Sequence, residues 1–578
     1  MSTNQFASVT MVVALSIPAL VLLLKPPRAE EWMPKISLGK IAYALPMVVF
    51  LCASLETWSY GHLGLFSVIA LMAVFTALAF SDSSSTASIA MALSLVAIIV
   101  VLYGVYSPSF GCDTWRDATQ AAQIIERGGL RDLTIVHEAY PLPVVSILYA
   151  IYSIVSGLNT LWSSSVVGLA YLLLLALWMQ VLARRVGAEH SHAAPLLMLT
   201  TPLVVIWSVW FIPQAYSLLM ALPLLFLDLN SIIILILALA LVLGHGGVAL
   251  WTVVVLALLF IAKRALGVRS PILKPVDAKL AIVLALLIPL ITCTTLSTCF
   301  QGALSSVLEA PQAILGGRSV EATASLQLRA PLIGVLSIAS LAVLVALGLV
   351  VFIEDGDTAM QLLAFASLVG LGIAYVGVVA YPVLDLPRYL GLQSTVVLVA
   401  LSPRALRALT KRGRRGSLYA SLLLLLAIAA FGFAGSLMPE NPCTANPYAK
   451  YSISGLLTYD EARELECIAS LLCCNNCLVD WRAGSYMGYK YLWIQPQYRG
   501  FYVAKTDTSF TFAGSYGLIV TPDYLERFDG LLIFRKSASQ MPETFLQEVA
   551  LCITDNDGPS LYYSSNNMLV ACFEKASP

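Results

Sequence analysis

Charge is what this chain has least of. Of its 578 residues only 11% are Asp, Glu, Lys or Arg, where soluble domains carry about 25%. That scarcity excludes an ordinary soluble fold. The 33 basic and 33 acidic residues cancel, so no net positive surface exists to neutralise phosphates, and nucleic acid is not an expected partner. No basic stretch precedes the first apolar segment and no A-x-A-like site follows it, so that segment reads as a retained helix rather than a cleaved leader. Internal repeats and low-complexity tracts are also lacking.

What is present is apolar surface. Hydrophobic residues make up 59% of the chain, and the mean hydropathy is +0.84. Apolar runs fall at 6–24, 41–56, 63–80, 87–106, 140–157, 165–183, 193–211, 214–227, 231–244, 247–263, 279–296, 331–352, 359–381, 388–402 and 417–436. Most have a length suited to crossing a bilayer as helices, and 231–244 sits near the lower limit.

Orientation follows from Lys and Arg in short loops, which stay in the cytoplasm. Four groups stand out: Lys25, Arg28, Lys35 and Lys40; Arg184 and Arg185; Lys263, Arg264, Arg269, Lys274 and Lys279; and Arg404, Arg407, Lys411, Arg412, Arg414 and Arg415. They share one side only if 140–157 does not cross. The Tyr140-Pro141-Leu142-Pro143 entry suits a bent helix lying in the outer interface. The expected fold is thus a polytopic α-helical membrane protein with about fourteen transmembrane helices, both termini outside.

Three segments then lie outside: a loop at 107–139, a second at 297–330, and a tail at 438–578. The tail is polar enough to be a separate extracytoplasmic domain. Thr458 to Leu472 reads as a capped amphipathic helix. "CLVDW", "YGLIV", "LLIF" and "MLVACF" read as strands, with Ser564 to Asn567 as a hairpin turn. A small α/β domain is predicted. It holds Cys443, Cys467, Cys473, Cys474, Cys477, Cys552 and Cys572. In an oxidising space these favour disulfides over zinc, and their odd number leaves one without a partner inside the domain.

The first outer loop carries Asp113, Asp117 and Gln120 at i, i+4 and i+7, one face of a helix. Ala118, Ala121, Ala122 and Ile125 form the opposite face, and Gly128-Gly129 closes the helix. The spacing predicts an amphipathic helix at the membrane surface. Two bland roles compete with chemistry here. Asp113 would cap the helix, and Asp117 would pair with Arg116 or Arg127 on a wet surface.

The order of features carries a resemblance. The acidic loop is followed by "HEAYPLPVVSILYAIYSIVSG" from His137, a helix ending in "LARRVG", then "WFIPQAYSLL" from Trp210, and much later "LPRYLGL" from Leu386. This ordered set resembles the GT-C superfamily of integral-membrane glycosyltransferases. The likeness is to the archaeal type with an outer C-terminal domain, related to protein O-mannosyltransferases and oligosaccharyltransferase catalytic subunits. It divides the chain into additional N-terminal helices (1–86), a GT-C-like catalytic domain (87–437) and the outer α/β domain (438–578).

The resemblance implies an inverting enzyme. It would move a sugar from a polyprenyl-phosphate or diphosphate donor to a hydroxyl on a protein, lipid or glycan at the outer face. Asp113 matches the family's essential outer-loop aspartate, with Asp117 as its partner. Arg388 and Tyr389 match the outer Arg-Tyr position beside the donor phosphate, where the guanidinium fork suits phosphate. His137, Glu138, Glu309, Arg318 and His245 are further candidates for substrate or metal. A divalent cation, Mg or Mn, is the one cofactor the resemblance admits. A transporter or lipid flippase is the rival function, and a non-catalytic GT-C-like scaffold is a third. A transporter should carry ionisable groups or broken helices near the midplane.

Overall fold

The computed structural model describes residues 3–24, scattered positions between 44 and 70, 112–130, 142–186, most of 191–201, 211–267, 274–293, 331–380 and 390–434. In the tail it describes one helix and seven strands. The expected spans at 63–80 and 87–106 and the loop at 297–330 lie outside these residues, as does most of 41–56. The chain forms two compact units. One comprises 1–101, 138–144 and 168–438; the other comprises 102–137, 145–167 and 439–578.

In the first unit, α1 (Thr3–Leu23) packs on α10 (Pro331–Glu354). Around α10 stand α11 (Thr358–Ala380), α12 (Leu392–Thr410) and α13 (Arg414–Ala434). The inward face of α10 is small and apolar: Ala339, Ala342, Val343, Ala346, Leu347 and Val350 are fully buried. A second group holds α6 (Pro213–Phe226), α7 (Ser231–Gly244), α8 (Gly246–Ala265) and α9 (Val276–Cys293). It joins the first where α8 meets α11. The short α5 (Ala193–Leu199) packs on α12.

Polar residues mark where helices start. Asn230 accepts the Ile233 N–H at 2.9 Å and Asp357 accepts the Ala359 N–H at 2.9 Å. Each satisfies a donor that the first helical turn leaves over.

Outward faces carry apolar stripes at helical spacing. On α4 (Thr160–Arg185) they are Leu174, Leu177 and Val181; on α7, Ile232, Leu235, Ile236 and Leu239; on α11, Phe365, Val369 and Ile373. Soluble surfaces rarely expose so much contiguous apolar area. Lipid is the solvent that tolerates it. By length and composition α4 and α8 are long and apolar enough to cross a membrane. By contrast, α6 and α7 have 14 residues each, about 21 Å of helix. They fall short of a roughly 30 Å hydrocarbon layer, so the crossing expected for 231–244 is not made by a full-length helix.

Basic residues of the loops find carboxylates in two places. Lys263 Nζ lies 2.6 Å from Asp277, Lys274 3.6 Å from Asp228, Arg404 3.0 Å from Asp355, and Arg412 2.5 Å from Glu354. The first two pairs tie the turn after α6 to the α8–α9 loop, and the last two tie the end of α10 to α12. One residue departs from the expected loop charges. Lys279 has no exposed surface, because its ammonium donates to the Leu227 carbonyl at 2.6 Å. It caps the C-terminal end of α6, where helix dipoles favour cations.

In the second unit, α2 (Cys112–Arg127) and α3 (Val144–Ser156) precede α4, and α14 (Tyr459–Ser470) belongs to the tail. At 13 residues, α3 is about 20 Å long, too short to cross, as the charge parity requires. It buries Val145, Ser146, Tyr149 and Ala150 and exposes Ile151, Ile154 and Val155.

The tail sheet runs β2-β3-β4-β1-β5-β7-β6, from β1 (Asn476–Asp480), β2 (Gln495–Gln497), β3 (Phe501–Val503), β4 (Ser509–Ala513), β5 (Gly530–Arg535), β6 (Ser560–Ser564) and β7 (Met568–Phe573). β1 lies parallel between β4 and β5, and the remaining pairs are antiparallel. Strands expected at "CLVDW", "LLIF" and "MLVACF" are present; of the expected Ser564–Asn567 turn, Ser564 ends β6 and residues 565–567 lie outside the described residues. "YGLIV" lies outside the described residues, as does Thr458. Three short strands, β2 to β4, were not legible. Cys477 and Cys572 both sit opposite Leu531 on flanking strands. Two strand spacings put their Cα atoms about 10 Å apart, beyond disulfide reach.

Candidate functional site

The acidic helix exists as α2, and its C-terminus is where the glycines put it. Gly128 adopts φ +65° and its N–H bonds the Ile125 carbonyl at 3.3 Å. That left-handed conformation suits glycine and ends the helix. Asp113 lies inside the first helical turn, one residue after Cys112, rather than ahead of the helix at the capping position. Its side chain falls outside the description.

The faces of α2 differ from expectation. Asp117 is 2% exposed, Gln120 6% and Gln123 4%, and Thr114 is fully buried. Ala118 and Ala121 are buried as well, while Ile125 is 37% exposed. The helix is therefore enclosed with its polar side inward, not laid on a surface with its apolar side down. The reason lies in partners. Arg116 Nε donates to Asp117 Oδ1 at 3.3 Å, and Ser146 of α3 donates to Gln120 Oε1 at 2.9 Å. Asp117 does pair with Arg116, but in the interior. A buried carboxylate is tolerable only with such company.

His245 stands at the junction of α7 and α8. It is 2% exposed, and its Nδ1 accepts the Val248 N–H at 3.4 Å. Its role here is to cap α8. His137, Glu138, Glu309, Arg318, Arg388 and Tyr389 all lie outside the described residues. Among the described residues no three His, Cys, Asp or Glu side chains converge as metal ligands would. The side chains of Asp113, His137, Glu138 and Glu309, on which a divalent cation would depend, lie outside the described residues.

A second polar set was missed by sequence reasoning. Trp251 Nε1 on α8, Ser367 Oγ on α11, and the Gln393 amide and Ser394 Oγ on α12 are buried without a hydrogen-bond partner among the described residues. They belong to apolar helices and carry no charge, so no charge pattern marks them.

No protein-family model matches this chain, and no curated protein matches it either. Among solved structures, one of ArnT from Cupriavidus metallidurans bound to undecaprenyl phosphate is 13% identical, with a TM-score of 0.33. It covers 84% of this chain and 97% of that one. A likeness at that score carries no argument about fold or activity.

Proposed function

We propose that this chain is a membrane glycosyltransferase. It moves a sugar from a polyprenyl-(di)phosphate donor to an acceptor hydroxyl on a protein, lipid or glycan, at the outer face and with inversion. The observation that carries the reading is α2, an enclosed polar helix. It holds Asp117 beside Arg116 and presents buried Thr114, Gln120 and Gln123. A fold that needed only anchoring would not bury this set, because each group costs free energy unless it is engaged.

The chemistry follows from residue types. The acceptor hydroxyl is a weak nucleophile. The Asp113 carboxylate takes its proton as the new C–O bond forms at the anomeric carbon. The bond from that carbon to the donor phosphate breaks, and the phosphate leaves with the electron pair through an oxocarbenium-like state. Arg388, with Tyr389, holds the departing phosphate through its two-pronged guanidinium. Asp117, tethered by Arg116, keeps the acidic turn in place. No step is routed through a metal.

The test incubates purified protein with labelled polyprenyl-phosphate sugars and cell-envelope acceptors. Asp113→Asn should lower transfer about 100-fold or more, and Arg388→Ala should weaken donor binding. Equal transfer by wild type and Asp113→Asn would remove the base. The polar set on α8, α11 and α12 is what a flippase would also need. Donor crossing vesicles without acceptor would favour that rival.

A further inference from the structure

Six basic residues crowd the junction of α12 and α13: Arg404, Arg407, Lys411, Arg412, Arg414 and Arg415. Two of them are committed, Arg404 to Asp355 and Arg412 to Glu354. Arg414 and Arg415 differ. Both are exposed, and neither makes an ion pair or hydrogen bond among the described residues. They open α13, whose first turn holds no acidic residue. That end of a helix is the positive end of its dipole, so cations there cost stability rather than add to it. Elsewhere basic residues take the favourable end, as Arg184 and Arg185 do in the last turn of α4, Lys263 and Arg264 in that of α8 and Arg407 in that of α12.

The junction holds the two arginines in a fixed place. Gly413 adopts φ +79°. Its N–H donates to the Thr410 carbonyl at 3.0 Å, and the Ser417 N–H donates to the Gly413 carbonyl at 3.0 Å. A Cβ added at Gly416 would run into the Leu409 carbonyl, so the first turn of α13 lies close against the end of α12. Apolar surface runs along the same face of α13. Leu418 and Leu422 follow Arg414 at i+4 and i+8, and they are 56% and 52% exposed. From Arg414 to Leu422 the helix climbs about 12 Å, most of one leaflet of a roughly 30 Å layer. Tyr419 Oη donates to the Leu15 carbonyl of α1, which puts α1 beside α13. There α1 exposes Val13, Ile17 and Val21 at the same helical spacing.

Two unmatched guanidinium groups at the foot of an apolar stripe suit an amphiphile with a negative head. Guanidinium binds phosphate oxygens two at a time, and basic groups at the membrane surface attract anionic lipids. A small soluble anion would use the charges and leave the stripe idle, and a neutral lipid would do the reverse. We propose that Arg414 and Arg415, with Leu418 and Leu422, form a docking surface for an anionic phospholipid of the leaflet that meets this end of the helices. The surface is independent of the transferase reading, which gives the donor phosphate to Arg388.

The experiment titrates full-length protein in a nonionic detergent with phosphatidylglycerol or phosphatidylcholine. Bound lipid is counted by native mass spectrometry, and stability is read as melting temperature. Wild type should bind phosphatidylglycerol more tightly and melt higher with it. Arg414→Gln and Arg415→Gln should each lower that preference about fivefold, and should melt no lower than wild type without added lipid. Arg264→Gln removes an exposed charge from another helix end and should leave the preference unchanged. Inorganic phosphate in excess should not displace the lipid. Equal binding of the two lipids, or an equal loss in all three variants, would reduce the surface to diffuse charge and overturn it. Displacement by inorganic phosphate would overturn it in favour of a free-anion site. Arginine variants that melt lower without lipid would make the pair structural and overturn it too.

Discussion

Two regions of the first unit treat polar side chains differently. At loops and helix ends, Lys263, Lys274, Arg404 and Arg412 each meet a carboxylate, and Lys279 meets a helix carbonyl. Farther along α8, α11 and α12, Trp251 Nε1, Ser367 Oγ, the Gln393 amide and Ser394 Oγ are buried without a hydrogen-bond partner among the described residues. For the buried Arg412 guanidinium, pairing is what stability demands. The second arrangement costs stability, and such costs concentrate where function needs them. Substitutions at the two places should therefore move stability in opposite directions.

The largest effect is expected at the ion pairs. Arg412 is 8% exposed, so Glu354→Ala strands a buried guanidinium and should cost roughly 3 kcal/mol in reversible unfolding. An unchanged midpoint would show that the pair is ornamental. Lys279→Met removes the donor to Leu227 and should cost about 1–2 kcal/mol. At the unpartnered groups the sign reverses. Ser394→Ala should stabilise the ligand-free protein by about 1 kcal/mol, and a loss instead would erase the contrast.

Sequence made part of this visible. Loop charges marked Lys263, Lys274, Arg404 and Arg412 as loop or helix-end groups, and each has a carboxylate partner there. The carboxylates that complete them, Asp228, Asp277, Glu354 and Asp355, carry no signal of their own, because pairing is a property of loops far apart in the chain. Gly128-Gly129 announced the end of α2, and short apolar runs announced β5 and β7. The burial of α2 was misread for a physical reason. Amphipathic spacing tells which residues share a face, not whether that face meets water or a polar interior. The unpartnered polar groups on α8, α11 and α12 were illegible for a related reason. A serine looks the same in sequence whether or not it bonds the preceding turn.

Smaller effects sharpen the comparison further. Burial holds the Asp355 carboxyl above its ordinary 3.8, outweighing the Asp357 N–H and the Arg404 charge, which pull it down. The folded protein thus binds this proton more tightly than the unfolded chain. Stability of wild type relative to Asp355→Asn should rise as pH falls through the folded value toward 3.8, and be lowest above it. A difference that fell with falling pH would reverse the assignment. Arg264, 3.9 Å from Asp277 and 68% exposed, sets the floor. Arg264→Ala should change stability by no more than about 0.5 kcal/mol, and a larger loss would mean that exposure is misjudged there.

The central claim is that sugar leaves a polyprenyl phosphate with inversion. The most direct measurement is the anomeric configuration of the product, read by proton NMR after wild-type protein has consumed a polyprenyl-phosphate hexose of defined configuration. The account predicts a product of opposite configuration, with polyprenyl phosphate released. A retained configuration, or no product from such donors, would contradict it.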